Sequence, residues 1–198
     1  MSAACPDPNT DDAALLRRYR RGDAEAFAVL YARHRLGLYR FLCSLCGDTA
    51  LAEEVFQETW LSLVRSTAEQ QQAGVQFRSW LYQIGRNRLI DHWRRHARQQ
   101  GLQDSFDEQL HARPAEEPGP EQQLQLSRDR RRLHAALEDL PLEQREVFLL
   151  RAHGDLELHE IAELTRTPAE TVKSRLRYAL AKLRRLLAEP APREESCR

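Results

Sequence analysis

Apolar residues recur at intervals of three and four along most of the chain, which is the spacing that puts them on one face of an α-helix. Asp11 or Asp12 is predicted to cap a first helix running to Arg21, and Gly22 separates it from a second helix capped by Asp23. The apolar face of this second helix consists of Phe27, Leu30, Tyr31, His34, Leu38 and Phe41. A third helix is predicted over residues 49–65, with a buried stripe of Ala52, Val55, Phe56, Trp60, Leu63 and Val64.

The helical spacing is interrupted once, in the middle of the chain. A fourth helix is predicted from about Arg78 to Arg98, after which residues 101–127 lose the periodicity and contain three prolines, two glycines and six acidic residues. Helices are predicted again from Arg128, from Pro141, over residues 156–164 and from Pro168 to about Ala188. The chain is therefore predicted to be all-α, with two small helical domains over 1–100 and 128–188, an acidic flexible linker over 101–127 and a disordered tail over 189–198.

The charged residues are segregated along the chain although the formal net charge is zero. Residues 76–100 carry a net charge of +5 and residues 165–187 carry +6, whereas residues 101–127 carry −5. Local charge sets the field that a partner feels, so each domain is predicted to offer a basic surface to an anionic partner. Arginine supplies 28 of the 30 basic residues, and its planar guanidinium suits phosphates and base edges.

Composition and motifs argue against several classes of protein. No uncharged apolar run approaches the roughly 20 residues that span a bilayer. The acidic, polar N-terminus is not a signal peptide, so a cytoplasmic location without membrane insertion is predicted. Four cysteines in 198 residues do not form a disulfide scaffold. No Gly-rich phosphate loop or hydrolase motif occurs, and no cofactor, small-molecule substrate or catalytic residue is predicted.

The region from Leu156 to Arg177 has the layout of a helix-turn-helix. A short helix is followed by a turn of three or four residues, and Pro168 then suits the first position of the next helix. The first turns of a recognition helix enter the major groove, where hydroxyls and guanidinium groups contact phosphates and base edges. The candidate DNA contacts are Thr171, Lys173, Ser174, Arg175 and Arg177. The alternative is a generic helical hairpin with a solvated basic face.

A second basic segment, residues 77–98, interleaves arginines with Trp80, Tyr82 and Trp93. Aromatic rings beside arginines suit unstacked bases and single strands. The alternative interpretation is that the rings belong to the core and that only the arginines face a nucleic acid. We favour this interpretation for the tryptophans. Cys43 and Cys46 form a Cys-x-x-Cys pair that, with His34 or His92, would admit zinc or redox chemistry. Ordinary packing is favoured for the pair, and no metal site is predicted.

Three stretches together resemble the bacterial sigma factors of the extracytoplasmic-function (ECF) group. They are AEEVFQETWLSL (52–63), FRSWLYQIGRNRLIDHWRR (77–95) and the stretch 137–185, which contains HEIAELTRTPAETVKSRLRYAL. With the helix over 23–41 they cover about three quarters of the chain, in the order of the family. The resemblance implies a protein that is not an enzyme. It would bind RNA polymerase core, direct promoter-specific initiation through the −10 and −35 elements, and be held inactive by an anti-sigma protein.

The resemblance also implies roles for single residues. The acidic and amide face at Glu54, Gln57 and Glu58 would bind the β′ clamp of the polymerase. The segment over 128–188 would read the −35 element with the residues given above, and the linker would lie in polymerase channels. The residues implied for the −10 element are Arg78, Arg86, Asn87, Arg88, Arg94 and Arg95.

Three positions in the helix-turn-helix depart from the family pattern and bear on the −35 preference. Arg166 stands where the turn usually has glycine, and this substitution predicts an irregular turn. Glu157 replaces the usual Ser or Thr cap, and Asp155 is predicted to cap that helix instead. Glu170 would be repelled by phosphate or accept from a cytosine amine. Two other functions stay open: a free-standing helix-turn-helix regulator of duplex DNA, and a small metalloenzyme or thiol oxidoreductase that uses Cys43 and Cys46.

Overall fold

The computed structural model describes residues 10–66, 76–99 and 122–188, and within these ranges the chain is helical with no strand. The first domain comprises α1 (Asp12–Arg20), α2 (Ala24–Cys46), α3 (Thr49–Arg65) and α4 (Phe77–Gln99). The second comprises α5 (Gln122–Glu138), α6 (Leu142–Gly154), α7 (Leu158–Thr165) and α8 (Ala169–Ala188). The all-α prediction is confirmed for the described residues. None of their helices is long and apolar enough to cross a bilayer.

Local chemistry fixes where the helices of the first domain begin and end. The side chains of Asp11, Asp23 and Asp48 accept backbone N–H groups at the starts of α1, α2 and α3. Gly22 and Gly47 adopt positive φ at the ends of α1 and α2, where a side chain would be strained. Asp11, Gly22 and Asp23 confirm the predicted boundaries of the first two helices, with Asp11 rather than Asp12 at the start of α1.

The core of the first domain is nearly the predicted one. Leu30, Leu38 and Phe41 of α2 are fully buried against α3 and α4. The prediction that Val64 is buried was wrong, because its side chain is 47% exposed. It follows Leu63, so its side chain points about 100° away from the buried stripe and toward Gln57 on the outer face.

The second domain differs from the prediction at three places. α5 begins at Gln122, earlier than Arg128, and the rest of the predicted linker lies outside the described residues, as does the tail after Ala188. Asp155 does not cap α7. It ends α6 in the left-handed conformation, and Glu160 of α7 accepts the backbone N–H of Glu157 at 2.8 Å. Arg166 takes the conformation usually left to glycine, with φ 55°, so the turn keeps its shape.

The two domains pack against each other. α2 and α4 of the first domain contact α6 and α7 of the second. This packing was not predicted, and it determines which of the candidate arginines face solvent.

Candidate nucleic-acid and polymerase interfaces

The predicted −35 residues lie together on the first turns of α8. Val172 is buried under them against the rest of the helix-turn-helix, so the polar side chains face outward. Lys173 and Arg177 are exposed, while Thr171, Ser174 and Arg175 are half-buried. Ser174 donates its hydroxyl to the carbonyl oxygen of Thr171 at 2.9 Å and is thereby oriented by its own helix. The arrangement presents a compact basic surface at the start of a recognition helix.

Arg175 is held in place by two neighbours. Its guanidinium pairs with the carboxylate of Glu143 on α6, and its other terminal nitrogen donates to the hydroxyl of Thr167 at 3.4 Å. Glu143 is itself exposed, so the pair lies at the surface, where a phosphate or a base edge can compete for the arginine. Arg175 is therefore positioned in advance of any DNA contact.

One further residue of this surface, Tyr178, was not among the predicted contacts. Tyr178 is 55% exposed, and the guanidinium carbon of Arg177 lies 5.1 Å from the centre of its ring. In the sequence, Tyr178 directly follows Arg177 and lies outside the apolar stripe of α8. This position could have indicated a contact residue. Glu170 has an 88% exposed side chain that lies 3.9 Å from the amine of Lys173, so its negative charge is partly balanced within the same turn.

The basic face of α4 divides into two parts. Arg94 and Arg95 are exposed near its C-terminal end, and Asn87 and Arg88 line a cleft against α3 with Trp80, Asp91 and Ser62. Arg88 donates to the hydroxyl of Ser62 at 2.8 Å.

Arg78 and Arg86, by contrast, turn toward the second domain. Arg86 pairs with Glu146 at 2.7 Å and Arg78 with Asp155 at 2.9 Å. Four of the six predicted −10 residues are thus exposed to solvent. The other two form ion pairs with acidic residues of the second domain.

The aromatic residues of α4 belong to the core. Trp80 and Tyr82 are buried, and Trp93 packs partly buried against the same cluster. This confirms the favoured interpretation that the tryptophans are structural. The edge of Trp80 that reaches the cleft is the part left for contact with a ligand.

The predicted polymerase face of α3 is outward-facing and mixed in character. Glu54 and Gln57 are exposed, and Glu58 is half-buried with its carboxylate 3.7 Å from Arg88. Leu61 and Val64 are 50% and 47% exposed on the same side of the helix. Neither side chain was predicted for this face, since the apolar spacing of α3 assigned Val64 to the core and Leu61 to no surface. The face therefore combines carboxylates with uncovered apolar side chains, and the Glu58–Arg88 pair joins it to the cleft of α4.

The cysteine pair has the properties of packed side chains. Burial raises the pKa of the Cys43 thiol, and it raises the pKa of Cys46 to about 11. The Cys46 thiol donates to the carbonyl oxygen of Asp48 at 3.2 Å. Reactive and metal-binding cysteines need the thiolate, which these surroundings disfavour. In the described ranges, no group of three metal-ligating side chains comes together.

Both domains match the models of a known protein family. The Sigma-70 region 2 profile matches residues 30–99, and the Sigma-70 region 4 profile matches residues 130–183. RNA polymerase sigma factor NccH of Alcaligenes xylosoxydans xylosoxydans is 30% identical over 91% of this chain and 96% of its own. ECF RNA polymerase sigma factor SigL of Mycobacterium tuberculosis (strain ATCC 25618 / H37Rv) is 32% identical over 84% of this chain and 92% of its own.

A solved structure agrees with these sequence relatives. The structure of CnrH in complex with the cytosolic domain of CnrY matches with a TM-score of 0.56 and 26% identity, over 91% of this chain and 97% of that one. The order of helices, the helix-turn-helix and the polar face of α3 are those expected from the resemblance. The chain belongs to the ECF family of RNA polymerase sigma factors.

Proposed function

We propose that this sigma factor uses three surfaces: the outer face of α3 for RNA polymerase core, the cleft and basic face of α4 for the −10 element, and the start of α8 for the −35 element. The observation that carries the proposal is the distribution of exposed charge. The acidic face of α3 and the basic faces of α4 and α8 point outward from three separate helices of one chain. A transcription initiation factor needs these signs of charge for a basic protein clamp and for DNA.

The two DNA surfaces suit different states of the promoter. α8 has the form of a helix that enters the major groove of a duplex, where guanidinium groups can bind guanine in a bidentate manner. The cleft between α3 and α4 offers an amide, a guanidinium and the edge of an indole ring, from Asn87, Arg88 and Trp80. Amides and guanidinium groups can hydrogen-bond the edges of unpaired bases, and aromatic rings can stack on them.

We further propose that the chain is not itself an enzyme, acts in the cytoplasm where its polymerase is, and has an anti-sigma protein among its partners. CnrH, which shares its fold, was solved in complex with the cytosolic domain of CnrY. The domain division at residues 100 and 128 is likewise proposed, with α5 extending the second domain to Gln122.

Competition for core polymerase tests the role of α3. The double variant Gln57→Ala/Glu58→Lys should keep its fold, because surface changes usually alter the free energy of unfolding by only about 0.5 kcal/mol. It should lose affinity for core by roughly tenfold or more, because opposed charge replaces complementary charge. Glu25→Lys, an exposed charge reversal on α2, is the matched control. If the double variant competes for core as well as the parent, the assignment of α3 is wrong.

A further inference from the structure

One acidic side chain lies at the centre of the surface that α8 presents to solvent. The helix packs against α5, α6 and α7, and its buried residues are Val172, Ala179 and Leu183. Glu170 and Ser174 each lie two positions from Val172, so a rotation of about 100° per residue puts both about 160° away from it. Glu170 is thus directed away from the core, at the middle of the predicted −35 surface.

The carboxylate of Glu170 is accessible to a ligand. Its side chain is 88% exposed, and the amine of Lys173 lies 3.9 Å from one of its oxygens. The Lys173 side chain is itself 68% exposed, so solvent screens this pair and the lysine holds the carboxylate only weakly. Glu143, a second acid at this surface, is by contrast engaged by Arg175. When α8 enters a major groove, Glu170 therefore brings accessible acceptor oxygens to the base edges.

An ionised carboxylate can only accept hydrogen bonds, and this limits the bases that it can bind. In the major groove, guanine presents two acceptors, and thymine presents an acceptor and a methyl group. Adenine presents an amine beside the acceptor N7, which would repel a carboxylate oxygen. Cytosine presents its N4 amine as a donor, so cytosine is the base whose edge fits Glu170 best.

We propose that Glu170 is a specificity-determining residue that accepts a hydrogen bond from the N4 amine of a cytosine in the −35 element. The inference rests on the proposed role of α8 and adds a base preference to it. A carboxylate placed against phosphate or against another base loses water without gaining a donor, so Glu170 also penalises DNA that lacks this cytosine. Binding of the correct site and rejection of other sites then come from the same side chain.

A purely structural role for Glu170 predicts a different pattern. The residue lies in the first turn of α8, where a negative charge interacts favourably with the helix dipole. Loss of that interaction would destabilise the start of α8 and lower transcription from every promoter alike. It would not change which base is preferred at one position of the −35 element, so the base preference distinguishes the two roles.

Transcription by core polymerase with the full chain, on a template library whose −35 region is randomised, measures this preference. With the parent chain, transcribed templates should be enriched about tenfold for cytosine at one position, the order of discrimination expected from a base contact. Glu170→Gln should move the preference at that position from cytosine to adenine, because an amide can pair with both N6 and N7 of adenine. Glu170→Ala should leave the four bases about equally represented there.

Glu163→Gln is the matched control, because it removes the same charge from an exposed position on α7, outside the recognition helix. It should keep the cytosine preference of the parent chain. If Glu170→Gln and Glu170→Ala keep that preference as well, or only change transcription from all templates alike, the proposal is wrong. Absence of any cytosine preference in the parent chain would overturn it too.

A failure of the proposed function gives a different result in the same experiment. If neither the parent chain nor any variant directs transcription from any template with core polymerase, the proposed function is wrong, and the role of Glu170 is wrong with it. If the parent chain selects a −35 sequence that Glu170→Gln does not change, the proposed function stands and only the role of Glu170 is wrong.

Discussion

Asp12 ties the first helix to the second through two side chains of α2. Its carboxylate accepts from His34 at 2.7 Å and also pairs with Arg33. Burial alone would raise the pKa of Asp12, but its hydrogen bonds and charge interactions with His34 and Arg33 outweigh burial and lower this pKa below its ordinary value of 3.8. The folded state therefore favours the ionised carboxylate, and the resulting stability is present above pH 3.8 and is lost as the pH falls through the lowered pKa.

Asp12→Asn should consequently loosen α1. We expect a loss of about 1 kcal/mol in the local stability of α1 at pH 7, because a partly buried charge-assisted contact is replaced by a neutral one. Amide hydrogen exchange of residues 13–20 measures this directly. The difference between the variant and the parent should shrink as the pH falls below 3.8. Equal exchange at pH 7 would show that the contact does not hold the helix.

Arg175 is the residue whose loss should be most informative at the −35 element. Arg175→Ala should reduce affinity for one base sequence by roughly 1–3 kcal/mol if the guanidinium contacts a base edge. If it contacts phosphate, binding to all sequences should weaken alike. The slope of log affinity against log salt concentration should then fall in magnitude by about one. Glu143→Gln is the companion variant, because it releases Arg175 from its pair without removing it. Transcription unchanged by Arg175→Ala at every promoter would contradict both versions.

At the scale of the helix, the outer face of α3 could be predicted only in part from the spacing of its apolar residues. Gln57, Leu61 and Val64 follow each other at intervals of four and three, so they share one face. Because Leu61 and Val64 are apolar, spacing alone could not decide whether they cover a core or face a partner. Neighbouring α2 and α4 cover the opposite face, and this tertiary packing leaves the two side chains exposed.

The apolar part of this face should contribute to binding of core polymerase. Leu61→Ala/Val64→Ala should weaken that binding by roughly tenfold, because both substitutions remove apolar surface that contact with a partner would take out of water. The thermal midpoint of the free protein should hardly change, since both side chains are about half exposed. Leu36→Ala, which also trims a half-exposed leucine, should leave core binding as it is. A double variant that binds core normally would restrict the interface to the polar residues.

Most of the helix boundaries could be predicted from the sequence because short-range chemistry sets them. Asp23, Gly47 and Pro141 each begin or end a helix through their own backbone preferences or capping side chains. The start of α7 was less predictable. Asp155 and Glu157 both carry a carboxylate, and only the three-dimensional path of the loop decides which of them precedes the helix.

At the scale of the whole molecule, the contact between the domains could not be predicted. Arg86 and Glu146 are 60 positions apart, and neither residue lies in a pattern that refers to the other. The sequence did predict two basic surfaces on separate domains, and both are present on α4 and α8. It could not predict that acids of the second domain would be buried against the first, because such pairs depend on the relative position of the domains.

Run-off transcription with purified core polymerase, on a library of templates with varied upstream sequence, tests the central claim most directly. Adding the chain should create start sites that share a −10 and a −35 sequence and that are absent with core alone. Gln57→Ala/Glu58→Lys should strongly reduce transcription from these start sites at limiting concentrations of the chain, and Arg175→Ala should reduce it or change the shared −35 sequence. If the chain creates no start sites, while the free chain binds one duplex sequence tightly without polymerase, the account is contradicted and the chain acts as a free-standing regulator.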